Sequence, residues 1–179
     1  MQKDEARQLI SERFQTDFGA TPAFGHGHYR DCAGRAALGF TRARDLPLFV
    51  EQYLDVKVEQ LASQLFGRRI ERSAIVEIGN LAANSAHALV ELWSATANDL
   101  GGSSEIAVAT LTAPLRGMFA RIGLPFVIAA PARPERLGAG AQQWGSYYAQ
   151  DPQVCFGEIA AGQQALSVWR GHRGKEQAA

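Results

Sequence analysis

The residue best placed to do chemistry in this sequence is a carboxylate set inside an apolar run. In Ile75-Val-Glu-Ile-Gly-Asn-Leu-Ala82, Glu77 stands among Ile75, Val76, Ile78 and Leu81. Apolar surroundings disfavour the ionised carboxylate and raise its pKa toward neutrality, where it can take a proton as a general base. That role requires Glu77 to point into a cleft. The other reading is a carboxylate on the solvent face, or one paired with a nearby arginine. Three residues on, Asn80 holds donors and an acceptor in one amide, and suits either orienting a substrate or tethering the backbone of its own strand.

Other groups gather around this one. Trp144, Tyr147 and Tyr148 in Trp144-Gly-Ser-Tyr-Tyr148 make a compact aromatic set, read either as a hydrophobic plug or as a source of proton-donating hydroxyls. Glu51, Tyr53 and Asp55 lie close together, and a spacing of four puts Glu51 and Asp55 on one helical face, either bordering a cleft or solvated. Asn84 and Ser85 precede a helix whose N-terminus can hold an anion, although the loop from Leu81 to Ala86 has no glycine to let a phosphate approach closely. Thr112 is explained by capping, with Thr110 beside it. His26 and His28 in Gly25-His-Gly-His28 have no second pair at ligand spacing, so they read as a flexible surface loop rather than a metal site. Cys32 and Cys155 are too few and too distant for a cluster or a disulfide framework and read as small buried hydrophobes. No metal and no tightly bound cofactor is expected.

These residues need a scaffold. Ala6, Leu9, Ile10 and Phe14 fall at helical spacing within residues 4–15, closed by Gly19 and Pro22. A glycine-rich stretch to Gly34 leads into a strand from Arg35 to Ala43, broken by Gly39. Asp45 as N-cap and Pro47 in the first turn predict one long helix through Val50, Leu54, Val58, Leu61 and Leu65 to Gly67, with a break near Asp55. Ile75 to Ala82 then reads as a strand bulged at Gly79. Ser85 caps a helix ending at Gly101-Gly102. Ile106 to Leu111 is a strand, Thr112 opens a short helix, and Pro125 to Ala130 is another strand. A turn at Asp151-Pro152 precedes a last strand from Val154 to Ala160, with a frayed polar tail after Arg170. Strand and helix alternating in this way predict an α/β fold, an open mixed sheet with helices on both faces.

Composition excludes several functions. The 179 residues suit one domain over 1–179, and eighteen basic residues balance eighteen acidic ones without a run of five like charges, so nucleic acid is not expected as a partner. Acidic residues interrupt the apolar positions of the N-terminus, so no export signal is expected, and the apolar run from Leu124 to Ala132 falls short of the roughly 20 residues that span a bilayer. A cytoplasmic protein without a transmembrane segment is the expectation. The oligomeric state is left open.

At this point two resemblances add to the reading. Leu48-Phe-Val-Glu-Gln-Tyr-Leu-Asp55, Ile75-Val-Glu-Ile-Gly-Asn-Leu-Ala82 and Trp144-Gly-Ser-Tyr-Tyr148, in this order and spacing, resemble the thermostable hemolysin family from about Gly34 to Gly162. That family takes its name from a haemolytic activity. More distantly, Val76-Glu-Ile-Gly-Asn80 and Leu115-Arg-Gly-Met-Phe-Ala-Arg-Ile-Gly-Leu-Pro125 resemble the acyl-homoserine-lactone synthases. This second resemblance implies an acetyltransferase (GNAT)-like, autoinducer-synthase-like fold and transfer of a fatty acyl group from a thioester to a small amine or alcohol. Glu77 falls on that family's cleft glutamate, while Asn80 stands where an arginine is usual, which puts adenosylmethionine in doubt as the amine. It further implies acyl-CoA or an acyl carrier protein as co-substrate, with Asn84 and Ser85 at the coenzyme position and the glycine-free loop favouring the carrier protein or none. Catalytic roles then fall to Glu77, Asn80 and Tyr148, and substrate contacts to Glu51, Tyr53, Thr110, Trp144 and Tyr147. Two readings compete with the enzyme: a membrane-active hemolysin, and a non-catalytic binding or scaffold module of the same fold.

Overall fold

The structure is a computed structural model that describes residues 2–176. Helix α1 spans Gln2–Phe18, and Ala6, Leu9, Ile10 and Phe14 form its buried stripe. Strands β1 (His28–Asp31) and β2 (Ala36–Arg42) follow, then α2 (Val58–Phe66), β3 (Ile75–Ala83), α3 (Ala86–Leu100) and β4 (Ile106–Leu111). The chain continues through α4 (Ala113–Arg121), β5 (Val127–Pro131), β6 (Gln153–Glu158) and α5 (Ile159–Glu176). One six-stranded sheet has the order β1-β2-β3-β4-β6-β5. Among the described residues β3 and β4, joined by α3, pair in parallel, and the other neighbours run antiparallel.

Alternation along β3 sends side chains to both faces. Val76 and Ile78 pack with Leu92 and Trp93 of α3, Phe119 of α4 and Leu166 of α5. Ile75 points the other way, into a cluster with Val50, Val58, Ile106, Val108 and Phe156. A third cluster joins Ile10 and Phe14 of α1 to Ala37, Ala82, Trp144 and Tyr147. Helices therefore cover the sheet on both sides, as the order of elements predicts.

The sheet opens in the middle. Pairing of β3 with β4 stops at Ile78↔Ala109, yet β3 runs on to Ala83 and β4 to Leu111. On the other flank of β3 the register goes from Gly39↔Gly79 to Ala37↔Ala82, two residues of β2 against three of β3. The extra residue is a bulge, and the left-handed backbone sits at Asn80 (φ 51°), one residue beyond the glycine expected to carry it. Asparagine tolerates this conformation better than most residues, which leaves Gly79 free for a different purpose.

Three expectations are corrected. The single helix from Asp45 to Gly67 is a 3-10 turn over Phe49–Tyr53, extended backbone at Leu54, and then α2 with Lys57 as N-cap. Asp45 caps nothing, because the N–H groups of Leu48, Phe49 and Val50 donate to Glu51 and Glu77 instead. The last strand stops at Glu158 rather than Ala160, and α5 follows, with Ile159 and Leu166 buried and Gln163 Nε2 donating to the carbonyl of Ala97 at 3.2 Å. This helix runs through Glu176, and residues 177–179 of the expected tail lie outside the described residues. Finally, the glycine-rich stretch contains the edge strand β1, whose sequence His-Tyr-Arg-Asp carries no apolar alternation. No helix among the described residues is long and apolar enough to cross a membrane.

Candidate active site

Where β3 and β4 part, a cavity of about 940 Å³ opens through the sheet. On the side of α1 its walls are aromatic, with Phe14, Phe18, Phe49, Tyr53, Trp144 and Tyr147. On the side of α3 and α4 they are aliphatic, with Leu81, Leu89, Leu115 and Met118. Glu77 lies in the wall on the aromatic side, beside Phe49.

Glu77 is 3% exposed. Its Oε2 accepts from the N–H of Phe49 at 2.6 Å and its Oε1 from that of Val50 at 3.1 Å. Burial pushes the carboxyl up to about 7; the two backbone donors pull it down, and the nearby charge of Glu51 pushes it up. The two donors fix the carboxylate plane, and each oxygen keeps a lone pair for another partner. A group so held titrates in the range useful to a general base. The solvent-face reading is excluded, and no arginine pairs with Glu77 among the described residues.

Asn80 is also buried in the cavity wall, and its Nδ2 donates to the carbonyl of Ala23 at 3.0 Å. It tethers backbone, although of the loop over residues 20–27 rather than of its own strand. Trp144 and Tyr147 line the cavity within an aromatic cluster, their ring centroids 5.3 Å apart. Burial raises the Tyr147 hydroxyl, which donates to the carbonyl of Thr110 at 3.5 Å. Thr110 and Tyr53 line the same space, and Asn84 and Ser85 lie at its edge. Ser85 caps α3, accepting from the N–H of Ala88 at 3.2 Å, and Asn84 Nδ2 donates to the carbonyl of Gly34.

Two of the expected residues stand elsewhere. Glu51 forms a two-pronged pair with Arg72, at 2.7 and 2.8 Å, which holds its carboxyl below the usual range and turns it away from the cavity. It shares no cleft with Asp55, which pairs with Arg136, because the 3-10 turn and extended Leu54 break the helical spacing that would align them. Tyr148 does not line the cavity. It stands behind Tyr53, the two hydroxyls 2.6 Å apart. Tyr148→Phe removes this bond and no cavity contact. It should lower stability by about 1 kcal/mol in a urea titration and slow turnover by less than about tenfold.

One residue that the sequence assigns to a surface loop is part of the site. His26 lines the cavity with its ring laid across the sheet. A Cβ on Gly39 would come within 2.5 Å of His26 Cδ2, and one on Gly79 within 2.5 Å of Nε2. Gly39 and Gly79 are cross-strand partners, and together they leave the space for one imidazole. Thr41 stands beside it, opposite Glu77, with Oγ1 at 3.1 Å from His26 Nδ1. Among the described residues no group of three or more His, Cys, Asp or Glu side chains converges on a metal site.

The chain matches the family model described as Thermostable hemolysin over residues 1–163. It belongs to the thermostable hemolysin family. No curated protein sequence matches it. Among solved structures, this thermostable hemolysin family member is similar to the acyl-homoserine-lactone synthase LasI, at 16% identity and a TM-score of 0.62 over 92% of this chain and 86% of LasI. It is similar to BjaI, a CoA-dependent acyl-homoserine lactone synthase solved with SAM and isopentyl-CoA, at 13% identity and 0.59 over 96% and 82%. It is also similar to FeeM, an N-acyl amino acid synthase from uncultured soil microbes, at 12% identity and 0.54 over 90% and 93%. Likeness at such identities shows the fold, and the fold of this thermostable hemolysin family member is GNAT-like.

Proposed function

We propose that the protein is an acyltransferase that takes a fatty acyl group from a thioester and passes it to a small amine or alcohol. The observation that carries this reading is the buried Glu77 carboxylate in the wall of one cavity with an aromatic and an aliphatic side, next to the point where the sheet splits. An amine held at Glu77 attacks the carbonyl carbon of the thioester. The new C–N bond forms as Glu77 takes the amine proton; the C–S bond then breaks, and the thiolate leaves with that proton. The aliphatic side suits the acyl chain and the aromatic side the acceptor. The likeness to LasI and BjaI, named as acyl-homoserine-lactone synthases, and to FeeM, named as an N-acyl amino acid synthase, supports the reading.

For the donor, acyl-CoA and an acyl carrier protein are the two classes, neither tightly held as a cofactor. Asn84 and Ser85 at the start of α3 offer a place for a coenzyme phosphate, while the glycine-free loop favours the carrier protein. We place the reaction in the cytoplasm, with Trp144, Tyr147, Tyr53 and Thr110 as substrate contacts and Asn80 as a positioning residue. Free thiol released from acyl-CoA or from acyl carrier protein, only when an amine is present, tests the proposal. Absence of release from either donor across a panel of amines overturns it.

The family's name favours a second reading, a lysin acting directly on membranes. Among the described residues the exposed large apolar side chains, Leu46, Val56, Val127, Ile128 and Val168, are scattered over several elements rather than gathered on one amphipathic helix. Purified protein at micromolar concentration should therefore release no dye from liposomes in the absence of substrates. Release under those conditions revives the lysin.

A further inference from the structure

We propose that His26 is a catalytic residue of this acyl transfer, its Nε2–H donating to the thioester carbonyl oxygen as that oxygen becomes an oxyanion. The inference rests on the acyltransferase reading and supplies what that reading lacks, a donor for the developing charge. Aminolysis puts a negative charge on the carbonyl oxygen when the C–N bond forms and removes it when the C–S bond breaks, so a fixed N–H aimed at that oxygen lowers the barrier.

Four observations point to the imidazole. Its Cβ, Cγ and Cδ2 lie over Gly39 of β2 and its Nε2 over Gly79 of β3, so the ring reaches across the sheet toward the side on which β3 and β4 part. Its Nδ1 is engaged by Thr41, whose Oγ1 lies at 3.1 Å and accepts from the N–H of Gly27 at 3.2 Å. With the Thr41 proton given to Nδ1, the ring carries its own proton on Nε2, the tautomer this role requires. Among the described residues no group hydrogen-bonds to Nε2, and the ring borders the cavity. Finally, the loop is anchored at Ala23 and at His26 itself. Ala23 accepts from Asn80 Nδ2 at 3.0 Å, and the N–H of His26 itself donates to the Tyr29 hydroxyl at 3.3 Å.

Burial lowers the imidazole to about 4, so at neutral pH it is uncharged. A neutral donor stabilises the oxyanion without pairing with Glu77, two residues along β3 from Gly79 on the same face, and leaves that carboxylate free to take the amine proton.

The test uses the full chain, an acyl thioester and amine pair that the wild type turns over, and the variants His26→Ala and His26→Gln. We expect His26→Ala to lower kcat by about 10²-fold with KM for the amine changed by less than about threefold, because the contact exists only in the transition state. His26→Gln should recover part of the loss, since its amide N–H₂ can reach the same oxygen. Nitrogen-15 NMR of the wild type should show a proton on Nε2 at about pH 7, and that signal should shift on adding an analogue with CH₂ in place of the thioester sulfur. The NMR arm needs no variant to fold. His26→Ala turning over at the wild-type rate overturns the proposal, and so does a loss confined to KM for the amine or a ring protonated on Nδ1. A wild type that releases no thiol fails the acyltransferase reading itself, a result distinct from these.

Discussion

Glu77→Gln should slow thioester aminolysis by about 10²-fold or more while the protein keeps its fold. The amide can still accept from one of the two N–H groups that Glu77 holds, those of Phe49 and Val50, but its NH₂ then faces the other. Leaving one buried donor unpaired costs about 1–3 kcal/mol, less than the usual stability of a domain. What is lost outright is the proton acceptor. In the wild type, kcat/KM should climb with pH through about 7 as Glu77 ionises, and the variant should lack that step. Raising the pH should return part of the variant's rate, because a free amine then needs no base. Steady-state kinetics of the two proteins from about pH 5 to about pH 9 check both points. Equal rates at every pH remove Glu77 from the mechanism.

The same carboxyl should leave a mark on stability. Folded Glu77 keeps its proton up to about 7, whereas the unfolded residue gives it up near 4.5. Between those values the folded state binds more protons, so the stability due to this group is full below about 4.5 and is lost as pH rises through about 7. The displacement from 4.5 to about 7, at about 1.4 kcal/mol per pH unit, corresponds to about 3 kcal/mol. His26 acts in the opposite direction over nearly the same range. Its pKa is lowered from 6.5 to about 4, so the unfolded state binds more protons there and stability rises with pH. The wild-type profile is therefore flattened by two opposed groups, and the informative quantity is the difference from Glu77→Gln. The variant should be less stable than the wild type at about pH 4.5, and the gap should change by about 3 kcal/mol in its favour by about pH 8. Urea titrations at the two pH values measure it, and a gap independent of pH shows that Glu77 is not protonated in the folded protein near neutrality.

Much of this site can be read from one dimension. Glu77 stands out because a charged residue inside an apolar run must be either buried with partners or misplaced, and the strand, its break near Gly79 and the capped helix after it are local features. Aromatic residues from Trp144 to Tyr148 are likewise conspicuous, although only the fold separates Tyr147, on the cavity, from Tyr148, behind Tyr53. His26 is illegible for a different reason. Its importance comes from Gly39 facing Gly79, and which residues face each other across two strands is set by register, a property of the assembled sheet. Had that pairing been known, two glycines side by side would have marked a place where a ring approaches the backbone. Glu51 misleads because its four-residue spacing from Asp55 has meaning only in a continuous helix. Helix α5 escapes notice because its described apolar stripe is thin, with Ile159 and Leu166 buried and glycines at 162 and 171.

As proposed, this cavity joins an acyl group to an amine or alcohol. Mass spectrometry of the products formed when purified protein meets acyl thioesters of graded chain length and a panel of small amines and alcohols tests it directly. A new acylated product should form in step with released thiol, with a preference for some chain lengths over others, and should be lost in Glu77→Gln. Thioesters left intact by the wild type, or consumed by water alone with no acylated acceptor, contradict it.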